Sequence, residues 1–479
     1  MADNRGGGSR SPRKVPAATK KVGPPRQRMS SLMYSLPVRR LKDILSHVLP
    51  DVTLSSTEEL KSSGLARLFT LKMSDGEKVL LSVAPSLSIR LLRQESTILS
   101  TEAVLLNFLA ESDLDGKSGK EKVEEGEDEE EDESSKAKDD SQKVSRALLG
   151  LAPKLLKHAK DSRELAYPYT IVSSTPGEPL TKLAPFLSVP ERHDIDKQVG
   201  ALARTLANLT SPMKLFGMAN KALPFPCQPS GPSAPPKLGC KTWAEGFNTL
   251  LESILRDGED MAVLLPYEVI RSHFARLSWR LDAVTTPRLA ILDINDPKNV
   301  MIERDPDDEE TMLPSEHIRL TGLRNWSQGV FGDPLIASCF DEPTEGFQEG
   351  WDAAGEEIIE DGEHSETRKL LYRCYRAIVE VVTEYYRPKG DSSRRELGGR
   401  RKLTQVLAQL EKVDVVDGDA PKRVRSSSTD GESSKRVKTE SKGKTEPTGR
   451  TEPRGTTELK GKTEPKGRRY QKTNDGMTE

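Results

Sequence analysis

Three charged, apolar-poor stretches limit the part of this 479-residue chain that can build a hydrophobic core. Residues 1–33 are rich in Gly, Pro, Ser, Lys and Arg, and residues 413–479 carry short polar KTEP-like repeats. A third stretch, at 112–146, is dominated by Asp and Glu. Such segments bury too little apolar surface to offset the entropy lost on ordering. The sequence therefore predicts two disordered tails, a disordered acidic insertion, and a folded core between about residues 34 and 410.

Composition narrows the class of protein further. Hydrophobic residues make up 34% of the chain and the net charge is −2, against a typical hydrophobic share of about 45–50%. Near-neutral charge and 5% aromatic residues argue against a sequence-specific nucleic-acid surface. There is no run of about 18 apolar residues, and the N-terminus lacks the apolar segment of a signal peptide. We therefore expect an intracellular protein without a membrane segment, in the cytoplasm, the nucleus or both.

Two small features bear on localisation and redox state. PKRVR at 421–425 and KRVK at 435–438 are typical of a nuclear-import signal, although a Lys/Arg-rich tail produces such clusters by chance nearly as often. The cysteines show no zinc-like spacing, which predicts reduced thiols. They are Cys227, Cys240, Cys339 and Cys374. Cys339 follows an apolar stretch, and we expect it to be a buried small hydrophobe.

The order of periodic segments predicts the fold class. A helix after Pro37, a β-hairpin around a turn at Asp75-Gly76 and a long helix over 88–112 come first. PKLLKHA and YPYTIVSS predict two more strands after the acidic insertion. Helical patterns predominate from residue 189 onward, including one helix over 266–284, and are interrupted by short strands. Strands that begin a core closed by helices indicate an α+β protein.

Four stretches carry a family resemblance: LLRQESTILSTEAVLLNFL, YPYTIVSSTPGEPL, LDINDPKNVMI and LTGLRNWSQGVFGDPLIASCF. The last is the most specific, because its Gly, Trp and Gly-Asp-Pro residues fall at the family's spacing. In this order they resemble the protein-kinase-like fold, and more closely the aminoglycoside phosphotransferase and choline-kinase family in the version common in fungi. The resemblance implies a two-lobed fold, with a β-rich N-lobe at 34–180 and a helical C-lobe at 181–412. It also implies ATP and Mg²⁺ as cofactors if the site is active.

The stretch LDINDPKNVMI matches the family's catalytic loop with two departures. Asp293 falls at the place of the carboxylate that orients the acceptor hydroxyl and takes its proton, and Asn299 at that of a metal-binding amide. Ile291-Leu292 replace a polar pair, and the step from Asp to Asn is six residues rather than five. Asp296 is an alternative carboxylate whose offset fits less well.

Three further positions bear on the chemistry that the resemblance implies. Asn325 stands where the second metal ligand should be an aspartate, and an amide brings no negative charge to Mg²⁺. Ser82 occupies the place of the phosphate-binding lysine, and Glu102 that of its helix partner. Gly64 is the one glycine of the phosphate-loop segment SSGLAR. Without a lysine, Glu102 is expected to turn to Arg90, Arg93 or solvent.

Two other side chains in the stretch LTGLRNWSQGVFGDPLIASCF have structural interpretations. Asp333, which precedes a proline after a glycine turn, is expected to bond backbone amides near the catalytic-type loop. Trp326 is expected in the core or the cleft wall rather than as a stacking platform. Neither residue is therefore a predicted catalytic group.

The altered lysine, metal and loop positions act as a unit in phosphoryl transfer. Their joint alteration predicts a monomeric kinase-like protein whose phosphotransfer site is degraded and which acts by binding a small-molecule or protein ligand. Two alternatives stay open. One is an active ATP- and Mg²⁺-dependent kinase of a small hydroxylated molecule, with Asp293 as base and Asn299 and Asn325 as metal ligands. The other is a nuclear interaction protein that acts through its charged tails.

Overall fold

The computed structural model describes six segments of the chain: 36–60, 64–86, 88–118, 150–224, 239–304 and 318–413. The predicted tails, the KTEP-like repeats, both basic clusters and Cys227 lie outside the described residues. So does the acidic insertion beyond residue 118. The first residues of the predicted insertion, 112–118, are helical, because the second helix continues to Ser118.

A five-stranded antiparallel sheet forms the N-terminal lobe, in the order β1-β2-β3-β5-β4. Its strands are β1 (Leu54–Leu60), β2 (Arg67–Met73), β3 (Lys78–Val83), β4 (Leu155–Ala159) and β5 (Tyr169–Ser173). The predicted hairpin is confirmed as β2–β3, and Gly76 takes a φ of 92° in its turn. Helix α1 (Val38–Val48) packs its buried Leu41, Ile44 and Leu45 against this sheet.

The predicted long helix over 88–112 begins ten residues later than expected. Helix α2 spans Ile98–Ser118 and follows a 3₁₀ turn over Arg93–Thr97. The side chain of Glu95 accepts the backbone N–H of Leu92 at 2.8 Å, and Arg387 binds the same carboxylate at 2.6 Å. These bonds hold the chain in a tight turn, so the apolar residues before Ile98 do not join the helix.

Two small three-stranded sheets cross the region between the lobes, in the orders β10-β9-β6 and β7-β11-β8. Their strands are β6 (Glu178–Pro179), β7 (Gly217–Met218), β8 (Arg288–Ile291), β9 (Val300–Arg304), β10 (Ile318–Leu323) and β11 (Gly329–Gly332). The sheets bring the ends of β8 and β10 together, and those ends carry the predicted catalytic-type residues.

Helices make up most of the C-terminal lobe. The longer ones are α3 (Val189–Asn208), α4 (Trp243–Asp260), α5 (Tyr267–Leu277), α6 (Glu345–Ala353), α7 (Ser365–Tyr386) and α8 (Ser392–Glu411). Single turns of helix span Leu180–Leu183, Ala219–Ala222 and Trp279–Asp282. The one helix predicted over 266–284 is therefore wrong: the chain breaks at Ser278, between α5 and the turn that follows it.

A buried polar network ties β11 to α7 behind the small sheets. Asp333 is 1% exposed; its Oδ1 accepts the backbone N–H of Leu335 at 3.1 Å, which confirms the predicted amide contact. Its Oδ2 accepts Arg368 Nε at 2.7 Å and Tyr372 Oη at 2.8 Å. The Tyr372 hydroxyl in turn accepts the indole N–H of Trp243 at 2.7 Å. Asp333 is therefore a structural anchor between a strand and two helices.

Other predictions about single side chains are also borne out. Trp326 is 1% exposed and donates its indole N–H to the Leu323 carbonyl at 3.1 Å. Cys339 is 3% exposed, and burial raises the pKa of its thiol well above the usual range. Both side chains are therefore part of the core.

The described elements form the α+β, two-lobed kinase-like fold that the sequence predicts. A sheet with one long helix makes the smaller lobe, and helices make the larger. Among the described residues, no helix is long and apolar enough to cross a membrane.

Candidate functional site

One cavity of about 880 Å³ between the lobes contains all six residues singled out from the sequence. They are Gly64, Ser82, Glu102, Asp293, Asn299 and Asn325. The N-lobe sheet supplies its roof, α2 its back wall, and the ends of β8 and β10 its floor. The sequence therefore located the lining of the cavity, and the side-chain contacts decide what that lining can do.

The roof presents a serine where the family resemblance places a lysine. Ser82 lies in β3, opposite Leu68 and Thr170, and is 4% exposed. Two lysines of the same hairpin, Lys72 and Lys78, face each other across β2 and β3 and are exposed. No lysine from the described part of this sheet lines the cavity, so its roof provides no ammonium group for a phosphate.

Glu102 on α2 is a buried carboxylate without a cation. It is 6% exposed and accepts the backbone N–H of Trp326 at 3.3 Å. Burial raises the pKa of Glu102 to about 7, although the Trp326 amide acts in the opposite direction. The expected pairing with Arg90 or Arg93 is wrong, because Arg93 binds two aspartates of α4 and Arg90 contacts the sulfur of Met261.

The extra residue in the catalytic-type loop is accommodated by consecutive turns. The N–H of Asp296 binds the carbonyl of Asp293 at 3.0 Å, and the N–H of Asn299 binds the carbonyl of Asp296 at 2.7 Å. The side chain of Asp296 accepts the backbone N–H of Lys298 at 2.9 Å. Asp296, the alternative catalytic carboxylate, thus uses one of its oxygens to shape the loop.

Asp293 keeps a carboxylate oxygen for the cavity. Its Oδ1 is buried and has no hydrogen-bond partner among the described residues. Burial raises the pKa of Asp293 to about 7, and the charge of Asp296 adds to the rise, while the residue's own amide opposes it. An unpartnered carboxylate with a pKa near neutrality is suited to accept a proton from a bound hydroxyl.

Asn299 and Asn325 at the two metal positions bind the backbone. Asn299 Oδ1 accepts the N–H of Asn325 at 2.7 Å, and its Nδ2 donates to the Asn325 carbonyl at 3.1 Å. Asn325 Oδ1 accepts the N–H of Ser327 at 3.0 Å. Both amide oxygens are thus engaged, whereas Mg²⁺ prefers carboxylate and phosphate oxygens. This donor set does not fit a magnesium ion, and the described residues contain no cluster of three or more His, Cys, Asp or Glu suited to one.

Gly322 determines the direction in which the chain leaves β10 and reaches Asn325. Strand β10 carries a bulge between Leu320 and Gly322, where its register against β9 shifts. Gly322 takes a φ of 144°, and a Cβ there would lie 2.5 Å from the Leu151 carbonyl oxygen. The bulge turns the end of β10 toward the cavity, so the glycine picked out from the sequence has a positional role.

Sequence reasoning missed most of the cations that line the cavity. They are Lys182, Lys298, Arg324, Arg387 and Lys389. Arg324 directly precedes Asn325 in the sequence. Arg387 and Lys389 follow the end of α7, more than three hundred residues from β3, and no local pattern marks them. Only the folded chain brings these charges together.

Comparisons with known proteins return solved structures alone: no protein-family model and no curated protein matches the chain. A candidate aminoglycoside phosphotransferase of Ralstonia eutropha is 10% identical, with a TM-score of 0.46 over 79% of this chain and 99% of the other. A candidate fructosamine-3-kinase of Haemophilus somnus is 14% identical, with a TM-score of 0.45 over 77% and 97%. Aminoglycoside 2'-phosphotransferase-IIIa in its GDP complex is 14% identical, with a TM-score of 0.42 over 78% and 98%.

Two of these matches are to aminoglycoside phosphotransferases, which the sequence resemblance named, and one is to a fructosamine-3-kinase, which it did not name. The order and pairing of this chain's own strands and helices establish the same architecture. The chain has a two-lobed kinase-like fold and is similar to aminoglycoside phosphotransferases and fructosamine kinases.

Proposed function

We propose that this protein binds a ligand in its interlobe cavity and that its phosphotransfer site is degraded. The observation that carries this proposal is the pair of hydrogen bonds between the side chain of Asn299 and the backbone of Asn325. The side-chain amide of Asn299 thus binds the backbone of Asn325, while the side-chain oxygen of Asn325 accepts the N–H of Ser327, so the side chains at both metal positions bond the backbone. A phosphotransferase with this fold would need those groups for the metal that neutralises the γ-phosphate.

The remaining charges support the same proposal. Phosphoryl transfer depends on a lysine and metal ions that balance the charge of the transferring group. Ser82 supplies no charge, and the buried Glu102 accepts a backbone amide where a lysine would bind. These parts act together in catalysis, so the loss of any one of them is expected to remove most of the activity.

The test is Mg²⁺-dependent ATP turnover by the full chain, measured as release or transfer of the γ-phosphate over a panel of hydroxylated acceptors. We expect no turnover above the protein-free rate at any Mg²⁺ concentration, because the donor set does not fit the ion. Turnover that requires Mg²⁺ and is abolished by Asp293→Asn would refute the proposal.

One observation favours an active kinase as the second candidate. Asp293 presents a buried, unpartnered Oδ1 with its pKa raised to about 7 by burial. In that case Asp293 would take the proton of an acceptor hydroxyl. An ATP-dependent activity should then fall by about 100-fold or more in Asp293→Asn, since a general base usually contributes roughly 10²–10⁴-fold.

The matched control is Asp296→Asn, whose side chain lies in the same loop but bonds the Lys298 amide. The kinase candidate predicts that this variant keeps activity within a few-fold of the unmodified protein. Equal loss in both variants would point to damage of the loop and would remove Asp293 as the base.

A further inference from the structure

We propose that the cavity holds a ligand with two or more phosphate-like anionic groups and that it does so without a metal ion, through Arg324, Lys298 and Lys389. This inference rests on the proposed function, since it names the class of ligand for the same cavity. It places a fixed guanidinium charge beside the position where the family resemblance expects a metal.

Arg324 is the central residue of the proposed site. It directly follows β10, and its backbone N–H binds the Asn299 carbonyl at 2.8 Å, which fixes its position at the cavity floor. Its side chain is half-buried and makes no hydrogen bond or ion pair with any described residue. Burial lowers the pKa of Arg324, and the charge of Glu178 opposes this shift. A partly desolvated guanidinium without a hydrogen bond or ion pair costs free energy, and a bound anion would recover that cost.

Two lysines extend the positive charge from Arg324. Lys298 lies in the loop before β9, and Lys389 follows α7; both are exposed and line the cavity. Neither ammonium group forms an ion pair within the described segments. Three separate parts of the fold thus direct cations at one space, which favours a ligand with several anionic groups.

The other two cations of the cavity already have partners. Lys182 binds Glu178 at 2.6 Å, and Arg387 binds Glu95 at 2.6 and 2.7 Å. This contrast separates cations that support the fold from those left for a ligand. It also makes Arg324, Lys298 and Lys389 the residues to test.

Most of the carboxylates in the cavity are engaged as well. Glu59 binds Arg67 at 2.9 Å, Glu102 accepts the Trp326 amide, and Asp296 accepts the Lys298 amide. Their charges are therefore partly offset by donors inside the protein. None of these carboxylates binds the ammonium group of Lys298, which has no carboxylate partner among the described residues.

The chemistry of the cations selects the ligand class. A guanidinium presents parallel N–H groups that match two oxygens of one phosphate, and it stays charged at every physiological pH. A cavity of about 880 Å³ lies within the usual range of roughly 300–1,000 Å³ for small-molecule sites. A nucleoside triphosphate or another polyphosphate matches both the charge and the volume.

The test is calorimetric titration of the full chain with inorganic tripolyphosphate and with ATP, in EDTA and then with Mg²⁺. We expect both ligands to bind in EDTA, and Mg²⁺ to weaken binding because it competes for the same oxygens. Arg324→Gln should weaken binding by at least about 10-fold, as expected for the loss of a charge-assisted hydrogen bond.

Arg319→Gln is the matched control. Arg319 lies on β10, the strand that Arg324 follows, but it is exposed, lies outside the cavity and binds Glu303 at 2.7 Å. It should leave the affinity for both ligands unchanged. Melting curves without ligand check that both variants fold, and removal of the unpaired Arg324 charge should not lower the melting temperature.

The outcomes separate the two proposals. Absence of binding in EDTA, binding that requires Mg²⁺, or equal affinity of Arg324→Gln and the unmodified protein would overturn the metal-free anion site. Mg²⁺-dependent ATP turnover would overturn the proposed function instead, whatever the titrations show.

Discussion

Arg368→Met is expected to lower the free energy of unfolding by about 3–5 kcal/mol, the usual cost of leaving one member of a buried ion pair alone. Arg368 is 0% exposed, and its partner Asp333 is 1% exposed. The guanidinium binds Asp333 Oδ2 at 2.7 Å and also donates to the carbonyls of Glu360 and Asp361. Methionine fills a similar space, so the loss reports the missing charge more than a cavity. Urea unfolding followed by tryptophan fluorescence measures the change.

The control for this prediction is Lys402→Met, which removes an exposed ion pair between α8 and α7, the helix that also carries Arg368. Lys402 binds Glu380 at 2.7 Å, but the two side chains are 62% and 45% exposed. Such a pair contributes roughly 0–1 kcal/mol. If Arg368→Met lost no more than Lys402→Met, water would have to reach Asp333, and the network would not be the anchor between β11 and α7.

The double variant Asp333→Asn with Arg368→Met tests the pairing itself. Removing both charges leaves no unpaired ion in the core, so the double variant should be more stable than the sum of the two single losses indicates. Additive losses would show that each residue acts through its other contacts.

Elements with a strong apolar period were predictable from the sequence, and those held by polar or edge contacts were not. The β2–β3 hairpin has a turn glycine and alternating apolar residues. Strand β1 was missed because LSSTEEL is almost wholly exposed; it lies at the sheet edge, where burial leaves no pattern. The late start of α2 depends on Arg387, which binds Glu95 although it lies 292 residues further along the chain.

The candidate site shows the same contrast between features that the sequence predicted and features that it did not. Family spacing located six residues that the structure places along one cavity, because loop positions at strand ends follow from topology. The spacing did not predict that Asn299 would bind Asn325 through both its amide oxygen and its amide nitrogen. Those bonds depend on the bulge of β10 and the turns after β8. Whether a side chain is free for a ligand is decided by such contacts, which a motif alone does not contain.

Glu102→Gln is expected to raise the free energy of unfolding above pH 7 while changing it little near pH 4.5. Burial raises the pKa of Glu102 from 4.5 to about 7 in the folded protein. Below pH 4.5 both states hold the proton. As the pH rises toward 7 the unfolded chain releases it and the folded protein keeps it, so stability is lost through this window. At about 1.4 kcal/mol per unit, the loss is on the order of 3 kcal/mol.

Glutamine avoids this loss because it cannot ionise, and its amide oxygen can still accept the Trp326 N–H. The measurement is urea unfolding of both proteins at about pH 5 and about pH 8. Asp293, whose pKa is also raised to about 7 by burial, is present in both proteins. The difference between them therefore isolates Glu102.

Glu111→Gln is the control, because Glu111 is exposed on the same helix and is bound by Asn107 at 2.7 Å. It should change stability equally little at both pH values. If Glu102→Gln stabilised the protein by the same amount at both pH values, the gain would come from packing or hydrogen bonding. A gain confined to the higher pH would show that the cavity holds a carboxylate whose ionised form, buried without a cation, costs stability.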